Sequence, residues 1–249
     1  MNVNLELTDH CNLKCRMCSQ SLRDEAHGAP MRFMDAATWR AAVEGLRGLP
    51  DVTLCPHWLG EPTLHPDFDA LVGWAFDQNV GNALFRHFKL HTNAVILPEA
   101  RARLLLALAN RTDQAADTFA AVHFSIDALG EEAYAAVKGA PRRAQVYRNV
   151  TRFLALRAAA GVSRPHAHVA LVVQPGNAHE VEGFVEHWAA TLARLGRPFA
   201  LTGDWPADAR DAIYLRRLNT GDQAGADRLH AEACARLGIA VSPRAPGSF

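Results

Sequence analysis

Two hydrophobic periods take turns along this chain. Short apolar runs of strand type occur at 3–7 (VNLEL), 51–60 (DVTLCPHWLG), 84–93 (LFRHFKLHTN), 119–127 (FAAVHFSID) and 166–174 (HAHVALVVQ), with a weaker one at 198–205 (PFALTGDW). Between them, apolar residues recur three and four apart, which predicts helices over 34–49, 65–79, 97–111, 131–139, 143–161 and 179–196. Asp35 is placed to cap the first helix, Pro98 to open the third, and Gly161 to stop the fifth. The last of these helices carries one apolar stripe: Val181, Phe184, Val185, Trp188, Leu192 and Leu195. Strands alternating with helices predict an α/β fold with a parallel sheet, and six such units predict a partial or complete barrel. The pattern shifts near 203–211. This predicts a barrel domain over 1–204 and an appendage over 205–249, holding one helix (224–238) and an end rich in Pro and Gly.

Composition narrows the functional classes. The 249 residues are 49% hydrophobic and 21% charged, with a formal net charge of zero. That balance gives no bulk electrostatic reason to expect nucleic acid or an anionic membrane as a partner. No apolar run approaches a membrane span, and the first ten residues lack the basic start and apolar stretch of a secretory signal. A cytoplasmic protein is expected. In that reducing compartment clustered cysteines more often bind metal or do chemistry than form disulfides.

Three of the five cysteines are clustered: Cys11, Cys15 and Cys18, spaced C-x3-C-x2-C just after the first strand. Other unusual stretches follow later strands: GEPTLHPD (60–67), HTN (91–93), SID (125–127) and QPGN (174–177). In parallel α/β folds the carboxyl ends of strands converge on one face and carry the active site. Thiolates suit iron–sulfur clusters or zinc. Structural zinc takes four ligands, and a Cys3His site with His10 or His57 is the alternative reading, as in a non-catalytic zinc-stabilised binding protein. Cys55 on a strand is expected to be core, and Cys234 stands in the final helix without a companion at metal spacing. Of the twelve histidines, His65, His179 and His187 are expected in solvent on helices or their caps, while His57 and His91 point toward the active face as candidate substrate contacts.

Together, CNLKCRMC, GEPTLHPDF, HTNAVIL and SIDALGEEAYAAVKG, in that order after successive strands, resemble the radical S-adenosylmethionine (SAM) superfamily over roughly residues 3–200. The resemblance implies a partial (β/α)6 TIM-like barrel holding a [4Fe-4S] cluster on Cys11, Cys15 and Cys18. SAM would chelate the fourth iron. An electron from the cluster would split its sulfonium, and the 5′-deoxyadenosyl radical would take a hydrogen atom from a peptide or small-metabolite substrate. It further implies an external electron donor of flavodoxin or ferredoxin type. Gly60, Glu61 and Pro62 match the family's SAM-ammonium turn, with Leu59 in place of its first Gly. Thr92 and Asn93 match a pocket-lining pair, and Ser125 and Asp127 match positions near the SAM ribose or carboxylate. Met17 stands where many members carry an aromatic against the adenine. Arg142 or Arg143 could reach the SAM carboxylate, though a solvated basic turn is the simpler reading. The branch most resembled often carries a SPASM-type cysteine-rich C-terminal extension. Here only Cys234 follows Cys55, so that extension is expected to be absent.

Overall fold

The computed structural model describes residues 1–21, 32–113, 121–206 and 210–243. Seven strands form one sheet: β1 (Asn2–Asn4), β2 (Thr53–Cys55), β3 (His87–Thr92), β4 (Ala121–Ser125), β5 (His166–Val172), β6 (Phe199–Thr202) and β7 (Asp211–Arg216). All neighbours are parallel, in the order β1-β2-β3-β4-β5-β7-β6. The helices are α1 (Ala36–Glu44), α2 (Phe68–Asn79), α3 (Glu99–Ala109), α4 (Glu131–Lys138), α5 (Arg143–Ala159), α6 (Val181–Arg194) and α7 (Gln223–Arg236). This is an open partial barrel of the α/β class. No described helix is long and apolar enough to cross a membrane.

The caps behave as their residue types dictate. The Asp35 carboxylate accepts the Thr38 N–H at 2.9 Å, Pro98 precedes α3, and Gly161 adopts φ +66° just past α5. Val181, Phe184, Val185, Trp188 and Leu192 of α6 are buried, and Leu195 packs beside them. Residues 119–120 of the expected fourth strand and the end at 244–249 lie outside the described residues.

Period-two alternation divides the sheet into two chemically different faces. Phe88, Leu90, Val122, Phe124, Val169, Leu171, Ile213 and Leu215 face the helices and form the core. Phe76 of α2 packs 5.2 Å from Phe88, and Phe153 of α5 packs 5.3 Å from Phe124. The alternate positions, among them Lys89, His91, His123, Ser125, His168, Tyr214 and Arg216, share the barrel's inner face.

The sheet has one strand more than the six expected. The run at 198–205 contains the edge strand β6, and β7 inserts between it and β5. That strand falls in the stretch expected to be an appendage, yet it belongs to the sheet. Its anchor is a buried ion pair: the Arg157 guanidinium grips both oxygens of Asp211 at 2.8 and 2.5 Å, and Asp211 Oδ1 also accepts the Ala167 N–H. Asp211 therefore fixes where β7 begins.

Candidate functional site

The cysteine loop leaves β1 and is held from two sides by backbone contacts. On one side, the Glu61 N–H donates to the His10 carbonyl at 2.7 Å. Gly60 lies so close that an added Cβ would meet the Thr8 carbonyl oxygen at 1.9 Å. Only glycine fits that approach. The turn is held in place by Glu6, whose Oε1 accepts the Leu59 and Gly60 N–H groups at 2.6 and 2.7 Å. On the other side, the Lys14 and Arg16 N–H groups donate to the Lys138 and Val137 carbonyls at the end of α4. Gly139, at φ +72°, allows this, because a Cβ there would meet the Lys14 carbonyl oxygen at 2.4 Å. Within the loop, the Cys18 N–H closes on the Cys15 carbonyl at 3.0 Å.

Cys11, Cys15 and Cys18 are half-buried free thiols. Burial, and then the nearby Glu61, push the Cys11 thiol up to about 12. Burial also raises Cys15, against the opposing influence of Lys138. Such thiols become thiolates when a cationic metal offsets the desolvation. Among the described residues no three His, Cys, Asp or Glu side chains gather around a point suited to a single metal ion. His57, offered as a zinc ligand, stands instead inside the barrel, where its Nδ1 accepts the His91 N–H at 3.3 Å. A donor set of three soft thiols fits an iron–sulfur cluster, in which separate irons each take one thiolate.

Glu61 is buried beside this loop. Its Oε1 accepts the Thr63 and Thr92 hydroxyls at 2.6 and 2.8 Å, and its Oε2 accepts the Asn93 N–H at 2.7 Å. Burial raises its pKa, while these hydrogen bonds oppose the rise. Among the described residues Asn93 is the one donor to Oε2, which leaves a lone pair on that oxygen for a further donor. Asn93 reaches back across the site, its Nδ2 donating to Asn12 at 2.8 Å and lying 3.7 Å from Cys11 Sγ. Thr92 and Asn93 thus join Glu61 to the cysteine loop. Pro62 opens the short 3-10 turn that Glu61 caps.

Ser125 and Asp127 stand differently. The Ser125 hydroxyl donates to Asp127 Oδ2 at 2.9 Å, and the Lys138 ammonium reaches the same oxygen at 2.7 Å. Asp127 is fully buried at φ +67°, its Oδ1 accepting the Val172 N–H. Burial alone would lower the Lys138 pKa, but the Asp127 carboxylate and Cys15 raise it above the ordinary value. Asp127 is therefore a keystone beneath Ser125, and its carboxylate is already taken up by this chain's own donors. Lys138 was not singled out in the sequence. The signal available was its place in VKG, directly after a buried helix stripe.

Other expectations fare unevenly. Arg142 is exposed, and Arg143 stacks over Tyr147 at 4.0 Å while donating to the Leu129 carbonyl. Met17 is half-buried. Cys55 is core, as expected. His179 is exposed and His187 half-buried. His65 is not in solvent: it is buried, hydrogen-bonded to the Met34 carbonyl at 2.8 Å and to the Asp67 N–H. A neutral imidazole can satisfy a carbonyl and an N–H together, which is why burial costs it little there.

Comparison with known proteins shows the family and the fold. Residues 5–187 match the family description "Radical SAM superfamily". A curated protein, the S-adenosylmethionine-dependent nucleotide dehydratase of Selenomonas ruminantium, is 29% identical over 96 residues, covering 39% of this chain and 33% of that protein. Among solved structures, SuiB of Streptococcus suis superposes with a TM-score of 0.57 at 14% identity, over 95% of this chain and 46% of that one. Native anSMEcpe with bound AdoMet gives 0.57 at 17% identity, over 86% and 51%. HydG, a maturase of the [FeFe]-hydrogenase, gives 0.58 at 13% identity, over 95% and 49%. At these identities the structural likeness shows the fold. The chain spans about half the length of these solved relatives, and its match covers a third of the curated one.

Proposed function

The chain belongs to the radical SAM superfamily, a class of enzymes, and from that premise we propose that Cys11, Cys15 and Cys18 hold a [4Fe-4S] cluster against which SAM binds. When bound, the pair supplies reductive SAM cleavage and a 5′-deoxyadenosyl radical able to abstract hydrogen. The observation that supports the assignment most directly is the joining of Glu61 to the cysteine loop through His10, Asn93 and Asn12.

Each residue then has its own task. Glu61 Oε2 accepts the SAM ammonium, a charge-assisted bond in a buried setting. Gly60 and Pro62 fix the turn that aims it. Thr92 and Asn93 orient the carboxylate. Ser125 offers its hydroxyl to the ribose or carboxylate of SAM, with Asp127 and Lys138 holding it in register. The substrate is a peptide or small metabolite, and a flavodoxin- or ferredoxin-like protein supplies the electron. A reducing cytoplasm suits three free thiols.

The test is anaerobic reconstitution with iron and sulfide, followed by dithionite and SAM. The expected outcome is a brown protein absorbing broadly near 400 nm that releases 5′-deoxyadenosine. A colourless protein carrying stoichiometric zinc would sink the assignment.

A further inference from the structure

A second constellation lies on the inner face of the sheet, one layer below Ser125. His91, His123 and His168 stand side by side in register on β3, β4 and β5. Ser125, Ala170 and Tyr214 form the next layer up, two residues or about 7 Å along the strands. The rings form a continuous row. His57 stacks on His91 at 4.2 Å, His91 on His123 at 4.3 Å, and His168 meets His123 edge-on at 6.3 Å. Trp205, just beyond β6, lies flat against both His91 and His123 at 5.6 Å. The Lys89 ammonium sits 5.0 Å over the Trp205 ring, and Arg216 follows Tyr214 on the same side of β7.

A barrel interior with only a packing role is filled by Val, Ile and Leu. This one is filled by imidazoles, and their hydrogen bonding is incomplete. His91 Nε2 and His123 Nδ1 are buried without a partner among the described residues. Native proteins seldom leave such atoms orphaned, and each calls for a partner such as water, an ion or a ligand. Two cations, Lys89 and Arg216, act on the row. Burial first, and then Lys89 and Arg216, hold His57 down to about 3, and the same two cations act on His91 and His123 with their neighbouring imidazoles. Among the described residues, no carboxylate figures among the strongest influences on these three rings.

We propose that the row of His57, His91, His123 and His168, with Lys89, Arg216 and Trp205, is the substrate-recognition surface of this barrel and takes a small anion bearing a phosphate or carboxylate group. Its oxygens accept from the imidazole N–H groups and from the two cations, which a neutral ligand could not satisfy together. Arg216, on the layers above the row, is placed to hold the end of such an anion nearest the SAM face. The assignment of substrate rests on the radical SAM reading, whereas anion binding itself requires no cluster.

The experiment is calorimetric titration of the full chain, at constant ionic strength, with inorganic phosphate, succinate and adenosine 5′-monophosphate, with indole fluorescence followed in parallel. Saturable binding of at least one probe is expected, with a fluorescence change that Trp205→Phe removes. Phosphate and succinate distinguish the two anionic groups. Lys89→Met should weaken binding about tenfold or more, the usual consequence of losing a charged hydrogen-bond partner. His123→Phe, which keeps the ring and removes its nitrogens, should also weaken it. Failure of all three probes to saturate the wild-type chain overturns the proposal, as does equal competition by chloride. So does affinity unchanged in both variants. If a variant does not fold, the wild-type titrations and the chloride competition decide. SAM binding to the reconstituted wild type is measured separately. SAM binding without anion binding defeats this inference alone, and anion binding without SAM binding defeats the radical SAM assignment alone.

Discussion

The ammonium of Lys138 lies 2.7 Å from Asp127 Oδ2, with both side chains removed from solvent. The same lysine donates through Nζ to the Ser125 carbonyl, and its own carbonyl accepts from Lys14 in the cysteine loop. One residue thus ties the end of β4 to the loop that carries the thiols. Removing one partner of a buried pair strands the other charge. Lys138→Met should therefore cost about 3–5 kcal/mol in urea unfolding. Adding Asp127→Asn should recover part of the loss, because Asn tolerates positive φ and can still accept from Val172. A double variant no more stable than Lys138→Met would show that the ion pair is not the source.

Cluster binding should follow the three clustered thiols. Cys11→Ala, Cys15→Ala and Cys18→Ala should each abolish the visible absorption after reconstitution. Cys55→Ala and Cys234→Ala should keep it, since these thiols are buried in the core, Cys234 against His230 at 3.6 Å. Iron analysis of this chain should give about four per molecule, one [4Fe-4S] unit. A count near eight would reveal a second set of ligands.

Glu61→Gln should weaken SAM binding by about 1.5–3 kcal/mol, read by calorimetry, with the cluster spectrum intact. The amide also sets its NH2 group against the Asn93 N–H in one orientation and against the Thr63 and Thr92 hydroxyls in the other. A drop in melting temperature should accompany the affinity loss. Equal SAM affinity would remove Glu61 from the site.

Gly60→Ala tests the close approach of the turn to the thiol loop. Its methyl group would overlap the Thr8 carbonyl, a backbone atom that cannot rotate away. A cost of about 1–3 kcal/mol is expected from such overpacking, with poorer iron incorporation. Wild-type stability and iron content in this variant would show that the loop shifts freely.

The imidazole row gives stability a pH dependence of definite sign. His57 titrates at about 3 in the fold, and burial likewise lowers His91 and His123. An unfolded histidine titrates at about 6.5. The unfolded chain therefore binds more protons between these values, and stability is full above pH about 6.5 and falls as pH drops toward about 3. Urea midpoints measured from pH 7.5 down to 5 should decline, and His57→Gln should make the decline shallower. A flat profile would place these rings in contact with water.

Much of this protein was legible in its sequence. Alternating periods gave the strand–helix units, because burial of one face repeats every 3.6 residues in a helix and every two in a strand. The spacing of Cys11, Cys15 and Cys18 and the glycine of Gly60-Glu61-Pro62 were equally visible, being local. The family match, over residues 5–187, spans those same segments. Tertiary structure alone decided the rest. It set β7 in the sheet through the Arg157–Asp211 pair, whose partners stand 54 positions apart. It turned Asp127 inward onto Lys138, and it brought His57, His91, His123 and His168 from four chain segments into one row. A parity clue existed: His91 and His123 each stand two residues before a candidate site residue, Asn93 and Ser125, on the same side of the pleat. Parity says which face a side chain takes. Which strands become neighbours, and in what register, is decided only when non-local partners close on one another, and that information is carried by no single stretch of the chain.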